Sequence, residues 1–185
     1  EIIRIDPVGG NIDFSRWPVT AAGDSIYWAS LNKGKRSVTL DLKSAEGQAI
    51  ATSLIASAGI VVTNLPALGW LSYDRLTAAR EDLIMLSLTG APDGSPAVDY
   101  TVNAMTGFPL VTGPEGHDGP VNNVLPAWDV GAGLTISTSL LAAERRRART
   151  GAGALIKLSL LDVALWTTAN LGYVGEAAAN GVDRP

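Results

Sequence analysis

The chain has 185 residues, 46% of them hydrophobic and 17% charged, a balance that predicts a compact α/β-sized unit with a sizeable core. A net charge of −4 and a pI of about 4.9 argue against nucleic acid or an anionic membrane as the main partner. The lack of cysteine excludes disulfides and thiol nucleophiles, and a single histidine excludes a multi-histidine metal site.

In the first part of the chain, strand-like segments alternate with a helix-like one. "EIIRID" and "SVTLDL" (Ser37–Leu42) are predicted strands, and "GIVVTN" is continuously apolar, as expected in a parallel sheet covered on both faces. Residues 11–36 are predicted to be irregular. "SAEGQAIATSLIASA" is a predicted helix with Ser44 at its N-cap.

The alternation continues to the end of the chain and implies an α/β fold with right-handed crossovers and a doubly wound parallel sheet. No apolar run reaches membrane-spanning length, so we expect a soluble, cytoplasmic protein. The remaining predicted strands are "DLIMLSLTG" and "ALIKLSL". The remaining predicted helices are "SYDRLTAAR", a short one near Tyr100–Met105, "LTISTSLLAAERRRART" and "LDVALWTTANLGYV", with a polar turn in "NGVDRP".

Asp129, in "VLPAWDVGAG", is the only charged residue between Asp118 and Glu144. One interpretation is a helix N-cap, although the helix is predicted to begin later, after Gly131 or Gly133. The other interpretation is a nucleophile, because the two glycines would let a bulky ligand approach and a nearby helix N-terminus would keep the carboxylate ionised. The residue pattern alone leaves both interpretations open.

Other patterns carry weaker indications. "GAGLTI" and "GAGALI" lack the third glycine of a dinucleotide fingerprint, and "NKGKRS" lacks the upstream glycine of a P-loop. The sequence has no G-x-S-x-G motif whose serine could pair with His117 in a Ser-His-Asp site, so His117 is predicted to be a surface loop residue. No metal site is predicted. A basic cluster surrounds the second strand and is either a solvated edge, the simpler interpretation, or a seat for phosphate groups; its members are Lys33, Lys35, Arg36 and Lys43.

Four ordered blocks resemble the family III CoA-transferases, and the similarity covers essentially the whole chain. They are "SIYWASLNKGKRSVTLDLKSAEGQ", "IVVTNLP", "DYTVNAMTGF" and "LPAWDVGAGL…LLAAERRRARTGAGALIKLSLLDVAL". The resemblance implies that residues 1–185 are part of a large Rossmann-like domain, with a first β-α unit and a small domain outside this segment. It also implies an interlocked homodimer when full length. Coenzyme A is implied as a thioester substrate, with no permanently bound cofactor.

By the same resemblance, Asp129 matches the nucleophile, which attacks an acyl-CoA and carries CoA as an aspartyl thioester. The "VGAG" segment after it is predicted to be a turn whose N–H groups stabilise oxyanions. Asp99 matches an acidic position near the active site and is an orienting candidate. Positions that contact CoA in the family match Leu40, Lys43, Asn64 and Leu65, and Arg36 of the basic cluster is assigned to the same ligand.

Two departures from the family pattern narrow the expected reaction. The loop "NLPALGWLSY" is short and holds no arginine before Arg75, so the arginine that usually contacts CoA in the family has no match in this loop. Val98 stands where the racemases of the family have histidine. The chain therefore most resembles members that move CoA between two carboxyl groups of one branched unsaturated C5 dicarboxylate. Intermolecular transfer and a non-catalytic CoA-binding module are the alternatives.

Overall fold

The computed structural model describes residues 1–181 and divides the chain into two compact units, the second of which begins at Gly59. The part of the polar turn "NGVDRP" from residue 182 onward lies outside the described residues. Parallel strands joined by helices occur in both units, so the predicted α/β class is confirmed.

The first unit has two parallel strands, β1 (Ile3–Asp6) and β2 (Arg36–Thr39), and two helices, α1 (Ile26–Leu31) and α2 (Ala45–Ala58). The predicted cap of α2 is confirmed, since Oγ of Ser44 accepts a hydrogen bond from the N–H of Gly47 at 3.0 Å. The prediction that residues 11–36 are irregular is wrong at α1 and at a 3-10 helix, Ile12–Ser15. Helix α1 is also capped by a serine, Ser25, whose Oγ accepts from the N–H of Trp28.

Arg4 forms the polar centre of the first unit. Its guanidinium donates to both carboxylate oxygens of Asp6, to Asp13 at 2.8 Å and to Asn32 at 3.2 Å. Hydrogen bonding to Asp6 is the main reason that the pKa of Arg4 is raised above its ordinary value. Because Asp6 is only 2% exposed, this pairing offsets the cost of burying its charge. The network ties β1 to the segments on either side of α1.

The second unit is built on a three-stranded parallel sheet in the order β3 (Ile60–Thr63), β4 (Ile84–Thr89), β5 (Ala154–Ser159). The central strand β4 begins with three residues that have no solvent exposure, Ile84, Met85 and Leu86. Such burial fits a strand covered on both faces. The same expectation for "GIVVTN" is wrong at β3, where Val62 is 47% exposed.

In the described part of the second unit, five α-helices follow the strands, and they differ from the predictions in two places. The longest begins at Ala127, not after Gly131 or Gly133, and continues unbroken to Thr150. The predicted C-terminal helix is interrupted at Gly172, whose φ of 85° is a conformation that favours glycine. The five are α3 (Tyr73–Thr77), α4 (Asp99–Met105), α5 (Ala127–Thr150), α6 (Leu160–Asn170) and α7 (Tyr173–Asn180).

The direction of α5 follows from the contacts of Arg147, near its C-terminal end. Nη1 of Arg147 donates to the carbonyl of Gly59 at 2.7 Å and to that of Asp82 at 3.3 Å. Gly59 directly precedes β3, and Asp82 lies two residues before β4. The C-terminus of α5 therefore lies at the amino edge of the sheet. Its N-terminus starts at the opposite, carboxyl edge, where ligands bind in open α/β sheets.

Gly153, just before β5, approaches the main chain too closely for any side chain. A Cβ there would overlap the carbonyl oxygen of Leu83, which is backbone and cannot swing aside. We expect Gly153→Ala to lower the free energy of unfolding by more than about 1 kcal/mol in urea titrations. Gly175→Ala, in α7 with open space around it, is the control and should be neutral or stabilising. Equal losses in both variants would contradict this account.

Candidate active site

The N-terminus of α5 is capped by a side chain from α4. Pro126 occupies the N-cap position and makes no side-chain capping bond. Oδ2 of Asp99 instead accepts hydrogen bonds from the backbone N–H of Trp128 at 2.7 Å and of Asp129 at 3.1 Å. These are the second and third residues of α5, the donors that an N-cap side chain normally satisfies. Asp99 thus supplies the cap that the helix lacks in its own sequence.

The Asp99 carboxylate is buried, and this burial favours its hydrogen bonds to α5. Asp99 is 5% exposed, and a buried carboxylate is costly unless hydrogen bonds and opposite charge surround it. The two N–H groups and the positive end of the α5 dipole provide both. Asp99 therefore faces the helix rather than solvent, and its geometry fits an orienting residue that acts on the first turn of α5.

Asp129 is an exposed residue in the first turn of α5. Its interpretation as the N-cap is wrong, because the helix already begins at Ala127 and Asp129 lies inside it. The partial positive charge at the start of a helix favours a negative charge at this position. Asp129 thus combines an accessible carboxylate with a backbone held in place by Asp99.

Trp128 points into the core, in the opposite sense to its neighbour Asp129. It is 5% exposed, belongs to the buried cluster with Val102 and Val163, and stacks on Phe108 with ring centroids 5.7 Å apart. Its indole N–H donates to Oδ1 of Asn103 at 3.2 Å. Neither Trp128 nor Asn103 is predicted from the sequence as a functional residue. The tryptophan directly before Asp129 is the one signal that could have indicated this contact.

The two glycines after Asp129 have different surroundings. A Cβ on Gly131 would lie 3.1 Å from Cγ1 of Val163, so this glycine permits close packing of α5 on α6. Gly133 has nothing within 4 Å of a Cβ, is exposed, and follows Asp129 by one helical turn on the same face. Only Gly133 therefore fits the expected approach of a bulky ligand.

The "VGAG" segment is not a turn that offers oxyanion donors. It lies within α5, and the N–H of Val130 donates to the carbonyl of Pro126 at 3.1 Å. The N–H groups of the following residues are committed in the same way by the helical hydrogen-bond pattern. This part of the sequence-based hypothesis is wrong, because the helix starts earlier than predicted.

Asn64 and Leu65 directly follow β3 at the carboxyl edge of the second sheet, the edge at which α5 begins. Both are exposed, Leu65 to 47%, and its N–H donates to Oγ1 of Thr63. The loop continues into a 3-10 helix, Gly69–Leu71, before α3. Arg75, the first arginine after this loop, is exposed on α3.

The other proposed CoA contacts lie in the first unit, around the two ends of β2. Arg36 begins β2 and forms an exposed ion pair with Glu1 at 3.1 Å, which contributes little to stability. Leu40 is 8% exposed and its N–H donates to the carbonyl of Asp6, so neither its side chain nor its N–H is open to a ligand. Lys43 and the other lysines of the basic cluster are exposed.

His117 is exposed in its loop, which confirms the prediction of a surface residue. Within residues 1–181, no cluster of three or more His, Asp or Glu side chains is arranged to hold a metal ion. Over the same residues, no helix is both long enough and apolar enough to cross a membrane.

A family model described as CoA-transferase family III matches residues 1–184. The 2-methylfumaryl-CoA isomerase of Chloroflexus aurantiacus is 50% identical over 190 residues, covering 100% of this chain and 46% of that protein. The succinate–glutarate CoA-transferase of Agrobacterium fabrum is 30% identical over 193 residues, covering 94% and 48%. The crystal structure of a CAIB/BAIF family protein from Brucella suis matches with a TM-score of 0.87 at 27% identity, covering 100% and 51%. The chain thus spans about half the length of these relatives.

Removal of the Asp99 cap should destabilise the protein. Asp99→Ala leaves the N–H groups of Trp128 and Asp129 without their acceptor, so we expect the free energy of unfolding to fall by about 2 kcal/mol in urea titrations. Asp99→Asn keeps an acceptor oxygen and should lose less. Asp118→Ala, in an exposed loop, is the control and should change stability by less than about 0.5 kcal/mol. Asp99→Ala and Asp118→Ala of equal stability would refute the cap.

Proposed function

Because the chain belongs to CoA-transferase family III, we propose that the protein of which it forms part transfers CoA between carboxyl groups, with Asp129 as the nucleophile. The observation that carries the proposal is the setting of Asp129: an exposed carboxylate in the first turn of α5, with its own N–H bound to buried Asp99. A covalent carboxylate mechanism also suits a chain without cysteine.

The proposed reaction proceeds by four exchanges of acyl groups, two that load CoA onto Asp129 and two that reverse them. The Asp129 carboxylate attacks the thioester carbonyl, the C–S bond breaks, and a mixed anhydride and CoA thiolate result. The thiolate then attacks the aspartyl carbonyl of the anhydride, which gives an aspartyl-CoA thioester and releases the substrate carboxylate. The acceptor carboxylate reverses these steps and regenerates Asp129. Each step exchanges one acyl bond for another, so a difficult transfer is divided into easier ones.

The residues around Asp129 would assist in distinct ways. Asp99 is proposed as an orienting residue, since it holds the backbone N–H of Asp129. The positive end of α5 would stabilise negative charge that develops at the reacting carbonyl. Gly133, open to solvent one turn away, would leave room for the pantetheine and acyl portions beside Asp129.

We propose CoA contacts in each unit separately. In the first unit, Arg36 and Lys43 present exposed cations suited to the phosphates of CoA, and Leu40 would contribute its main-chain carbonyl. In the second unit, Asn64 and the half-exposed Leu65 emerge from β3 and offer an amide and an apolar surface. The resemblance to the family motifs supports four of these assignments, and that of Arg36 is supported by its place in the basic cluster.

The proposed substrate is 2-methylfumaryl-CoA (mesaconyl-CoA), with CoA moving from C1 to C4 of the same molecule. The 50% identity to 2-methylfumaryl-CoA isomerase supports this choice, as do Val98 in place of the racemase histidine and the short loop after β3. We also propose that the complete protein works in the cytoplasm as an interlocked homodimer. Exposed apolar side chains in the second unit support a further packing surface, namely Leu134, Leu141 and Trp166.

In the complete protein, we expect Asp129→Asn to lower the rate of isomerisation of 2-methylfumaryl-CoA by more than about a thousandfold, because the nucleophile is gone. Binding of the thioester should survive. The measurement is chromatographic separation of the two thioester isomers. Asp74→Asn is the matched control, since Asp74 is also an exposed aspartate in the first turn of a helix, and it should keep the wild-type rate.

Hydroxylamine added during turnover should modify Asp129, and peptide mass spectrometry would locate the adduct. Saturable binding of the thioester without any such adduct would favour a CoA-binding module that does no chemistry. Substantial turnover by Asp129→Asn would refute the nucleophile assignment.

Transfer between separate molecules is the second candidate, favoured by the 30% identity to succinate–glutarate CoA-transferase. Isotopically labelled 2-methylfumarate, supplied with unlabelled 2-methylfumaryl-CoA, distinguishes the two routes. The intramolecular route predicts that the thioester stays unlabelled while it isomerises, because CoA passes between carboxyl groups of one molecule. Incorporation of label at the rate of isomerisation would establish the intermolecular route.

A further inference from the structure

We propose that Asn103 is a positioning residue, which orients Asp129 through the indole of Trp128. The inference rests on the proposed role of Asp129 as nucleophile. Asn103 is 1% exposed, so it acts from within the core and does not meet a substrate. Its Oδ1 accepts the hydrogen bond of the indole N–H of Trp128 at 3.2 Å.

Asn103 and Asp99 lie one turn apart on the same face of α4. Asp99 holds the backbone at Trp128 and Asp129, whereas Asn103 holds the far end of the Trp128 side chain. The indole hydrogen bond adds an attachment at a second place on the same turn. Together the two attachments set the direction in which Asp129 leaves the helix.

The orientation of the Asn103 amide follows from its partners. An indole N–H is a donor only, so the oxygen of Asn103 must face Trp128. The amide nitrogen then donates to Oδ1 of Asn122, a residue of the segment that leads into α5. The same Oδ1 accepts from the N–H of Asn123 at 3.1 Å. Asn103 therefore connects α4 with both the start of α5 and the segment before it.

The polarity of Asn103 makes an alternative role in simple packing unsatisfactory. Leucine has nearly the same shape and would fill the same buried space without the cost of burying an amide. What leucine cannot provide is an acceptor for the indole N–H. The hydrogen bond, rather than volume, is thus what Asn103 contributes at this position.

In the complete protein, we expect Asn103→Leu to lower kcat by about 10- to 100-fold, since a displacement of about 1 Å at a reacting group can cost this much. KM for 2-methylfumaryl-CoA should stay within about twofold, because Asn103 is not among the proposed CoA contacts. Thr168→Val is the matched control. It replaces another buried polar side chain by an apolar one of similar shape, on α6, and should keep the wild-type kcat.

Trp128→Phe breaks the same hydrogen bond from the other side while keeping a ring to stack on Phe108. We expect a similar loss of kcat from this variant, which keeps the proposal testable should Asn103→Leu fail to fold. The double variant should be no slower than the slower single variant, since both changes remove one interaction. Rates are taken per folded molecule, with folding measured by circular dichroism.

Losses in kcat that multiply in the double variant would overturn the proposal, as would a change confined to KM or to thermal stability. Asp129→Asn, assayed in parallel, separates the two hypotheses. An inactive Asp129→Asn together with wild-type kcat in Asn103→Leu and Trp128→Phe would refute the role of Asn103 and leave the proposed function intact. An active Asp129→Asn would refute both.

Discussion

The hydrogen bonds between the carboxylate of Asp99 and the first turn of α5 are the interaction on which the candidate site depends. Pro126 makes no side-chain cap, so the helix requires an acceptor from elsewhere in the fold. A buried carboxylate requires donors and positive potential, which the start of a helix of 24 residues provides. The Asp99 carboxylate and the start of α5 therefore satisfy each other, and the backbone of Asp129 is held at this contact.

Within this first turn, adjacent residues have opposite tasks. Trp128 is buried among apolar side chains and bound to Asn103, whereas Asp129 is exposed at the surface. Arg147 anchors the C-terminal end of α5 beside the starts of β3 and β4, so the end that carries Asp129 lies at the carboxyl edge of the sheet. A rigid helix, anchored at both ends, presents one carboxylate at the edge where α/β proteins bind their ligands.

The strands and most helices could be predicted because their signals are local. The apolar run at the start of β4 and the serine at the start of α2 are examples that the structure confirms. The start of α5 could not be predicted from the local sequence, since most residues of "WDVGAG" are poor helix formers. Asp99, the cap that offsets this, lies 30 residues before Asp129 in the chain. The Arg4 network, with partners as distant as Asn32, was hidden for the same reason. Family resemblance predicted Asp129 as a nucleophile and Asp99 as an orienting residue, and the three-dimensional contacts add that Asp99 holds the backbone N–H of Asp129.

The proline at the N-cap of α5 has a thermodynamic consequence. A helix with its own serine cap can fray and reform independently, but here loss of the first turn and separation from α4 are a single event. The contacts that hold α4 in place therefore also limit how often the first turn of α5 unfolds and Asp129 leaves its position. A ligand that favours the ordered turn must, by linkage, tighten the junction between the two helices. A ligand bound at the surface beside Asp129 would therefore make the buried contact between α4 and α5 more rigid.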